Sequence, residues 1–506
     1  MSPPNEGRPD SPARLALAFG IAAFVLDLVL VPRAPGIGDA AEFTLALALG
    51  GAPHPTGYPL YVLAGFPFVH LLHALGLDWV RAAGAWSALG AAVAVGLFAG
   101  LVAQLTEHMD PARRISLWLA RLTPVLVLAL HPVWLRAATE PEVYSWWFAW
   151  IAGAAWFCFA TVVALEPGAL KPPRPARIAA LWGVICGAGL AHHALSMLFA
   201  LPLTLALFAA LRQRGVWRGT LSIAAGLGAA LPLTSWGFLV WRAFHPAAYQ
   251  WPLEPSLSAV WAHIRGAAYA GYLGGFAPRP AERALLAGTL LPIVIPGLVL
   301  SAFAALREAR PMLRAARLAL VLSASLLLAF TLNYGVPDPA MYCVPVLMVA
   351  LLWMPSVPPL LTSRLPRLLI AMTAIAAIVS TAAWGLSATL AHRAQLERID
   401  TRIRAAWNAI PFDRGVVLWK DDHCARLVLF QLLEHSHSER VVANPTRLTW
   451  RTERLAFERH TGFDALAGLD LHTKADLALI PPNVRRLSPL PVVEFKDVLG
   501  VERRTP

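Results

Sequence analysis

Residues 80–104 read VRAAGAWSALGAAVAVGLFAGLVAQ and contain a single charged side chain, that of Arg81. A helix needs roughly 20 apolar residues to cross the hydrocarbon core of a bilayer. Because the stretch meets this requirement, it predicts a transmembrane helix.

Ten further apolar runs of spanning length accompany this one. Of the 506 residues, 57% are hydrophobic and 14% are charged, whereas soluble domains contain about 25% charged residues. The composition therefore excludes a row of soluble domains and favours an all-α polytopic membrane protein. The predicted spans are 14–32, 80–104, 115–132, 143–165, 178–193, 194–211, 219–243, 284–306, 318–335, 340–360 and 367–390.

The 30 acidic residues divide the chain into two parts. Fifteen lie in residues 1–392 and fifteen in the much shorter stretch 393–506. Because a charged side chain is costly in hydrocarbon, we assign residues 1–392 to a transmembrane domain. Residues 393–506 are predicted to form a small soluble α/β domain with a strand at Gly415–Trp419.

The basic connections between spans indicate the orientation. Cytoplasmic loops are enriched in Lys and Arg, so these connections and the N-terminus should be cytoplasmic. If a twelfth apolar run, Tyr58–Leu77, spanned the membrane, the basic connections downstream of it would fall on the wrong side. Because it is interrupted by Pro67, His70 and His73, it is predicted to lie along the outer interface. The C-terminal domain is then periplasmic, in a multi-pass protein of a bacterial inner membrane. The basic connections are His108–Arg114, Lys171–Arg177, Arg212–Arg218, Arg307–Arg317 and Arg364–Arg367.

The net charge, the cysteines and the N-terminal residues do not indicate a further function. The net charge of +12 follows from the basic loops, and no Lys/Arg run resembles a nucleic-acid surface. The four cysteines are scattered, so they indicate neither a disulfide framework nor a metal site. The polar, proline-rich N-terminus does not resemble a cleavable signal.

This topology leaves eight acids outside, and we expect the chemistry on that face. Asp27 lies within the first span and the other six acids fall inside. Four outer acids, Asp78, Glu140, Glu254 and Glu282, are interpreted as solvated loop residues. The outer acids are Asp39, Glu42, Asp78, Glu140, Glu142, Glu254, Glu282 and Asp338.

The first outer loop contains the densest polar cluster. Asp39 and Glu42 are three residues apart and would share one helix face, where paired carboxylates can take a proton from a hydroxyl or bind a metal. His54 lies in a proline-bounded turn that also contains Tyr58. The alternative reading is that Asp39 only caps the helix that follows it.

Three further segments carry outward polar groups, each with a structural alternative. In the second, Glu142 and Tyr144 could orient a sugar hydroxyl and Arg136 could bind a phosphate, while the neighbouring tryptophans fit an interfacial belt. In the third, His192 and His193 end a span, and at most one of them can face a ligand. The fourth carries Asp338, which turn chemistry alone would explain.

The long outer loop 244–283 also carries polar and aromatic side chains. Arg265 and Tyr269 lie there among other aromatic residues, which suit either a sugar and a phosphate or an amphipathic interfacial helix.

Together these segments resemble a known family. Gly38–Phe43 followed by His54–Tyr61 is similar to its D-S-G-E-F … H-P-P-G-Y-P-L-Y signature, Glu142–Tyr144 to its E-V-Y, Gly187–His193 to its G-L-x-x-x-H and Asn333–Pro345 to its Y-N-I-P-D-x-x-x-Y-x-x-P. This is the bacterial transmembrane family of formerly unknown function related to protein O-mannosyltransferases. The sequence departs from the signature at Ala40, Ala41 and Thr56, without loss of a titratable group.

The resemblance implies a GT-C type fold of about 11 transmembrane helices plus an interfacial helix. It implies transfer of a mannose-like sugar from a polyprenyl-phosphate donor to an extracytoplasmic acceptor, a protein Ser/Thr hydroxyl, by inverting displacement. Asp39 is the expected base and Glu42 its helper or a sugar ligand. No cofactor and no metal are indicated. The expected substrate-binding residues are His54, Tyr58, Arg136, Glu142, Tyr144, His193, Arg265, Tyr269, Asp338 and Tyr342.

Two alternatives to a glycosyltransferase stay open. A transporter or lipid flippase would line a translocation path with acids, but the predicted spans are nearly free of acids and the polar groups cluster at one face. A scaffold whose tail binds partners would leave the cluster of Asp39, Glu42 and His54 without a purpose.

Overall fold

The computed structural model describes most of the chain. Some predicted features fall wholly or partly outside the described residues, namely the connections His108–Arg114 and Lys171–Arg177, the Glu282 side chain and much of the C-terminal domain. The described ranges are 12–107, 114–166, 174–274, 280–336, 338–356, 364–410, 412–419, 423–444 and 492–495.

The described chain is predominantly helical. The helices are α1 (Pro12–Leu30), α2 (Ala40–Leu49), α3 (Pro59–Ala74), α4 (Trp79–Leu105), α5 (Arg114–Ala129), α6 (Pro132–Thr139), α7 (Tyr144–Ala164), α8 (Pro175–His192), α9 (Ser196–Gln213), α10 (Gly219–Leu233), α11 (Trp236–Phe244), α12 (Leu257–Ile264), α13 (Pro280–Thr289), α14 (Leu291–Leu306), α15 (Pro311–Asn333), α16 (Pro339–Ala350), α17 (Arg364–Asn408) and α18 (His423–Leu433). Short 3-10 helices occupy Ala267–Tyr272 and Leu351–Ser356. The strands are β1 (Gly415–Trp419), β2 (Arg440–Ala443) and β3 (Val492–Phe495).

Seven helical segments among the described residues are long and apolar enough to cross a membrane, or eight if a bent pair counts as one span. They correspond to the predicted spans 14–32, 80–104, 143–165, 194–211, 219–243, 318–335 and 367–390. The predicted class, a polytopic helical membrane protein, is confirmed. The total of eleven spans stays a prediction, because the other four predicted spans are not among these seven: three correspond to bent, short or divided helices, and the fourth corresponds to α8, which has 18 residues.

The predicted span 115–132 is the bent one. α5 ends at Ala129 and α6 begins at Pro132, and the two axes differ by 61°. His131 caps α6 by accepting the backbone N–H of Val133 at 3.3 Å, and a proline in the first turn of a helix has no N–H that needs a partner. The bend redirects the chain just before Arg136 and Glu140.

α3 covers most of the run predicted to lie along the interface. Its 16 residues extend about 24 Å, less than the roughly 30 Å of a hydrocarbon core. Its exposed apolar side chains include Leu63 and Leu71. This length fits the interfacial assignment.

α8 and α10 approach each other closely through glycines. A Cβ atom at Gly187 would lie 2.2 Å from the carbonyl oxygen of Ala229, and one at Gly183 would lie 2.0 Å from that of Ala225. Small residues spaced by four allow such contacts between membrane helices. Because α8 ends one residue before His193, this packing determines where that histidine lies.

The C-terminal part is continuous with the last long helix. α17 has 45 residues and runs across residue 392, so the predicted domain boundary lies inside a helix. Beyond it, β1 forms at the predicted strand and pairs in parallel with β2 and β3, in the order β2-β1-β3.

The C-terminal part also shares a hydrophobic core with the first outer loop. Ile403 and Trp407 of α17 and Phe430 of α18 pack with Ala41 and Leu45 of α2. The helix that carries the predicted catalytic acids is therefore held from behind by the tail.

Candidate active site

Asp39 lies at the start of α2, and its side chain is 51% exposed. Gly38 before it has φ of 78°, a left-handed conformation that glycine adopts without steric cost. Asp39 occupies the N-cap position, but its side chain makes no capping hydrogen bond. The alternative that Asp39 only caps the helix is therefore wrong.

Glu42 is buried one turn further along and contacts His54. Its Oε1 accepts the backbone N–H of His54 at 2.6 Å and lies 3.2 Å from His54 Nδ1. On the other side of the ring, His54 Nε2 lies 3.8 Å from Asp39 Oδ2 and 3.4 Å from the Tyr58 hydroxyl. The imidazole thus stands between the two carboxylates, and a proton on Nδ1 leaves Nε2 as an acceptor.

The turn that holds His54 is fixed by a backbone hydrogen bond and by close contacts with α11 and α12. Gly57 donates its N–H to the His54 carbonyl at 2.8 Å, and a Cβ on Gly57 would lie 2.7 Å from a methyl of Leu239. His263 lies 3.1 Å from the Pro53 carbonyl through Nε2. Burial lowers the pKa of His263 to about 4, so this histidine is a neutral donor at neutral pH.

A cavity of about 940 Å³ connects the motifs, and we call it the motif cavity. Eleven of the twelve predicted site residues line it, and Glu42 is the one that does not. Residues from distant parts of the sequence therefore meet at one place. The eleven are Asp39, His54, Tyr58, Arg136, Glu142, Tyr144, His193, Arg265, Tyr269, Asp338 and Tyr342.

Glu140 is part of this cavity, and the interpretation of Glu140 as a solvated loop residue is wrong. Its side chain is 2% exposed and accepts a hydrogen bond of 2.6 Å from His392 Nε2. The bend before α6 turns this segment inward, and α17 covers it. Burial alone would raise the pKa of Glu140, but the His392 hydrogen bond and the charge of Arg136 outweigh burial and lower it.

The two arginines of the cavity differ in their surroundings. Arg136 Nη1 lies 3.0 Å from Asp338 Oδ2, and Arg136 Nε lies 3.5 Å from Glu140 Oε1, so two acids balance its charge. Arg265 is exposed at the cavity wall. Its guanidinium forms no ion pair with any acid of the described chain, which leaves its charge available for an anion.

Glu142 behaves differently from the other acids. Burial raises its pKa well above the usual range, and the like charges of Asp39 and Glu140 raise it further. The neutral acid is therefore favoured, and it can donate a hydrogen bond as well as accept one. Burial likewise raises the pKa of Tyr58 and Tyr269, so both phenols keep their protons.

Of the two adjacent histidines, one faces the cavity. His193 stacks on Trp147 with ring centroids 4.5 Å apart, and His192 bonds through Nε2 to the Val143 carbonyl at 3.0 Å. The expectation that at most one of them faces a ligand agrees with this arrangement. Tyr144 donates to the Tyr342 hydroxyl at 3.3 Å and closes the same wall.

Asp39 also borders a second cavity, of about 1250 Å³, which we call the tail cavity. Glu42 lies beside Asp39 in its wall. The remaining walls come from residues 243–255 of the outer loop and from α18 and β2 of the C-terminal part. The carboxylate of Asp39 thus stands between two spaces, one walled by membrane helices and one walled by the tail.

Asp39, Glu42 and His54 are also the one group of three metal-type side chains found within the described ranges. One ligand atom from each lies within 4.8 Å of the others. Carboxylate oxygens and an imidazole suit several divalent cations. The same three contacts also suit a hydrogen-bonded carboxylate–imidazole–carboxylate chain.

Two residues of the site's support were missed from the sequence. His392 holds Glu140, and Arg426, which is 1% exposed, donates through Nη2 to the carbonyls of Pro35 and Gly36 at 2.7 Å each. Neither lies in a motif, and each acts on a residue more than 250 positions away in the chain. A lone histidine and a lone tail arginine give no local signal of such a contact.

Comparisons with known proteins agree with the motif analysis. The family model described as the protein O-mannosyl-transferase TMEM260 N-terminal domain matches residues 39–216, which contain three of the four motif segments. The predicted resemblance to the glycosyltransferases related to protein O-mannosyltransferases is confirmed for this part of the chain. No curated protein sequence matches.

Among solved structures, the chain is similar to the archaeal oligosaccharyltransferase AglB from Archaeoglobus fulgidus, in complex with an inhibitory peptide and a dolichol-phosphate. The identity is 14% and the TM-score is 0.45. The alignment covers 85% of this chain and 64% of the archaeal chain. The chain thus spans less than two thirds of that enzyme.

Proposed function

We propose that this membrane glycosyltransferase transfers a mannose-like sugar from a polyprenyl-phosphate donor to a Ser/Thr hydroxyl of an extracytoplasmic protein, with inversion at the anomeric carbon. One observation carries the proposal: four separate motif segments converge on the motif cavity around Asp39. The matching family model, that of a protein O-mannosyl-transferase domain, supports the sugar and the acceptor class.

In this reaction Asp39 is the general base. The acceptor oxygen attacks the anomeric carbon, its proton passes to Asp39, and the bond from that carbon to the phosphate oxygen breaks. The exposure of Asp39 fits a group that must reach an incoming hydroxyl. Buried Glu42 is its helper rather than a sugar ligand, because it contacts His54 and does not line the motif cavity.

The departing polyprenyl phosphate takes the electron pair and needs positive charge nearby. Arg265 is the first candidate because no described acid balances its guanidinium. Arg136 is already paired with Asp338 and Glu140. We assign Arg136 to holding these acids in place and to a weaker contact with the phosphate.

The remaining predicted residues would bind the sugar. Neutral Glu142 and the phenol of Tyr269 offer donors for hydroxyl groups, while Tyr144, Tyr342 and His193 form an aromatic wall. Such a mixture of rings and hydrogen-bonding groups suits a pyranose. Asp338 would complete the wall while it pairs with Arg136.

The acceptor would reach Asp39 through the tail cavity. That space is lined by Asp39 and Glu42 but by no residue of the other three motif segments, and part of its wall comes from the C-terminal part. A protein segment arriving from the periplasm would find it directly, while the donor lipid stays in the bilayer. This arrangement requires the predicted topology, with the N-terminus cytoplasmic and the C-terminal domain periplasmic.

The substitution Asp39→Asn tests the proposal. Removal of a general base typically costs about 10²–10⁴ in rate, so transfer of radiolabelled sugar from a polyprenyl-phosphate donor to periplasmic protein should fall at least about a hundredfold. Asp78→Asn is the matched control: Asp78 is another outer acid, it caps α4, and asparagine caps helices equally well.

Retained transfer by Asp39→Asn, at normal expression and membrane insertion, would remove Asp39 from the base role. Absence of transfer by the native protein to protein, lipid and glycan acceptors alike, with active control enzymes, would favour the transporter or flippase alternative.

A further inference from the structure

A groove on the membrane side has no part in the proposed reaction. It encloses about 630 Å³ between α3 and the α10–α11 segment, next to Gly50 at the end of α2. We call it the lateral groove. Its walls are mostly apolar, and one charged residue, Arg242, lies among its lining residues.

The apolar side chains of the lateral groove are exposed on the outside of the helix bundle. Leu63 of α3, Leu231 of α10 and Trp241 of α11 are 47%, 66% and 49% exposed. The segment Gly219–Phe244 qualifies as a membrane span, and only 6% of its apolar window is buried within the protein. Side chains of this kind lie against lipid, so the lateral groove opens to the bilayer.

Arg242 lies near the outer end of that span. Its guanidinium stacks on Trp241 at 4.1 Å, and tryptophan concentrates at the level of lipid headgroups. Nη1 donates to the carbonyl of His245 at 3.3 Å, and the buried Nε has no hydrogen-bond partner. Within the described chain, no carboxylate forms an ion pair with Arg242.

A second polar group, the Ser235 hydroxyl, lines the same groove two helical turns from Arg242. This hydroxyl is buried without a hydrogen-bond partner. Leaving a buried donor unsatisfied costs free energy. A phosphate at Arg242 would pair with the guanidinium, and the ester oxygens of the same lipid could accept from the Ser235 hydroxyl, while a purely apolar occupant would leave both donors unpaired.

We propose that the lateral groove binds an anionic glycerophospholipid, with its phosphate at Arg242 and an acyl chain along Leu63 and Leu231. A guanidinium at headgroup depth above an apolar channel matches a lipid phosphate with its chain below. The occupant is a resident membrane lipid and not the sugar donor. α2 separates the two places, since Asp39 precedes its first residue and Gly50 follows its last, and its ten residues extend about 15 Å.

The lateral groove is also connected to the catalytic helix. Gly50 ends α2 with φ of 64°, and a Cβ there would lie 3.0 Å from Arg242 Nη2. Arg242 therefore lies against the C-terminal end of the helix whose N-terminal end carries Asp39. A bound phosphate would hold the arginine, and with it the end of α2, in place.

Native mass spectrometry of the full chain in mixed phosphatidylglycerol and phosphatidylcholine tests the inference. We expect the native protein to retain phosphatidylglycerol selectively. Arg242→Gln should weaken that retention about tenfold, as expected for loss of a charged hydrogen-bonding partner. Arg307→Gln is the matched control, because Arg307 also stacks on an aromatic ring, Phe303, at 4.3 Å but lies outside the lateral groove.

A second variant tests the space inside the lateral groove without changing the charge of Arg242. A Cβ on Gly237 would meet no atom within 4 Å, so Gly237→Leu should fill the lateral groove, lower lipid retention and leave Arg242 intact. Equal retention of both lipids, or retention that Arg242→Gln and Gly237→Leu leave unchanged, would overturn the proposal. Displacement of phosphatidylglycerol by equimolar polyprenyl phosphate would assign the groove to the donor instead. None of these outcomes depends on sugar transfer.

Discussion

Glu142 carries the clearest consequence among single residues, because burial and neighbouring acids keep it neutral. We expect Glu142→Gln to retain transfer at neutral pH to within about tenfold, since an amide preserves a neutral donor and acceptor. In the native enzyme, kcat/KM should fall as the pH rises through the raised pKa of Glu142, because ionisation removes the donor. The glutamine variant should lack that decline.

The measurement is kcat/KM from the neutral into the alkaline range for both proteins. Glu254→Gln, at an exposed loop acid, should reproduce the native profile. Parallel declines in the native protein and in Glu142→Gln would show that another group titrates.

Single residues were predictable from the sequence where they lie in dense motifs. Asp39, His54 and Tyr58 are close together in the chain, so their meeting needs only a local turn. Glu140 was misjudged because its burial depends on the bend before α6 and on His392, which no neighbouring residue reveals. Glu42 is also identified by its motif, but its contact with the His54 backbone could not be predicted, because it depends on how the loop between them folds.

The close contact between α8 and α10 should not tolerate a large side chain. Gly187→Leu should force the two helices apart, because a side chain there would meet the backbone of Ala229. Overpacking of this kind typically costs about 1–3 kcal/mol. It should also displace His193 from the motif cavity. We expect a lower thermal midpoint in detergent and a loss of transfer.

Gly226→Leu provides the control for this change. Gly226 lies in α10 as well, but a Cβ there would meet no atom within 4 Å. It should therefore leave both the midpoint and transfer nearly unchanged. Equal behaviour of the two variants would show that the close contact of α8 and α10 is not required.

Helices can be predicted from the sequence where the chain contains a long, uninterrupted apolar run. Long apolar runs were located well: the predicted span 80–104 corresponds to Trp79–Leu105 and the predicted span 143–165 to Tyr144–Ala164. Where the chain stays apolar across a break, as at Leu290 between α13 and α14, hydropathy does not reveal the interruption. The continuity of α17 beyond residue 392 was missed because a change of solvent need not end a helix.

For the molecule as a whole, the tail is an integral support of the site. Arg426 donates to the carbonyls of Pro35 and Gly36, just before the loop that carries Asp39, and each hydrogen bond from a charged group is worth about 1.5–3 kcal/mol. Arg426→Ala should lower kcat about tenfold or more while the tail stays folded and resistant to protease. Arg426→Lys should restore part of the rate.

Arg404→Ala is the matched control for the tail. Arg404 bonds Asp400 and Glu434, both within the C-terminal part, so its loss should affect the tail without loosening the loop that carries Asp39. If both alanine variants lower kcat alike, the tail acts through its general integrity and not through Arg426.

The position of Asp39 between two cavities has a consequence for the order of events. In the proposed reaction, a lipid donor that enters from the bilayer and a polypeptide acceptor that enters from the water would reach Asp39 through different cavities. The two substrates of that reaction could then bind in either order, and a ternary complex would form before transfer. In the proposed reaction, the polyprenyl phosphate would return to the bilayer while the modified protein diffuses away, so neither product would obstruct the departure of the other.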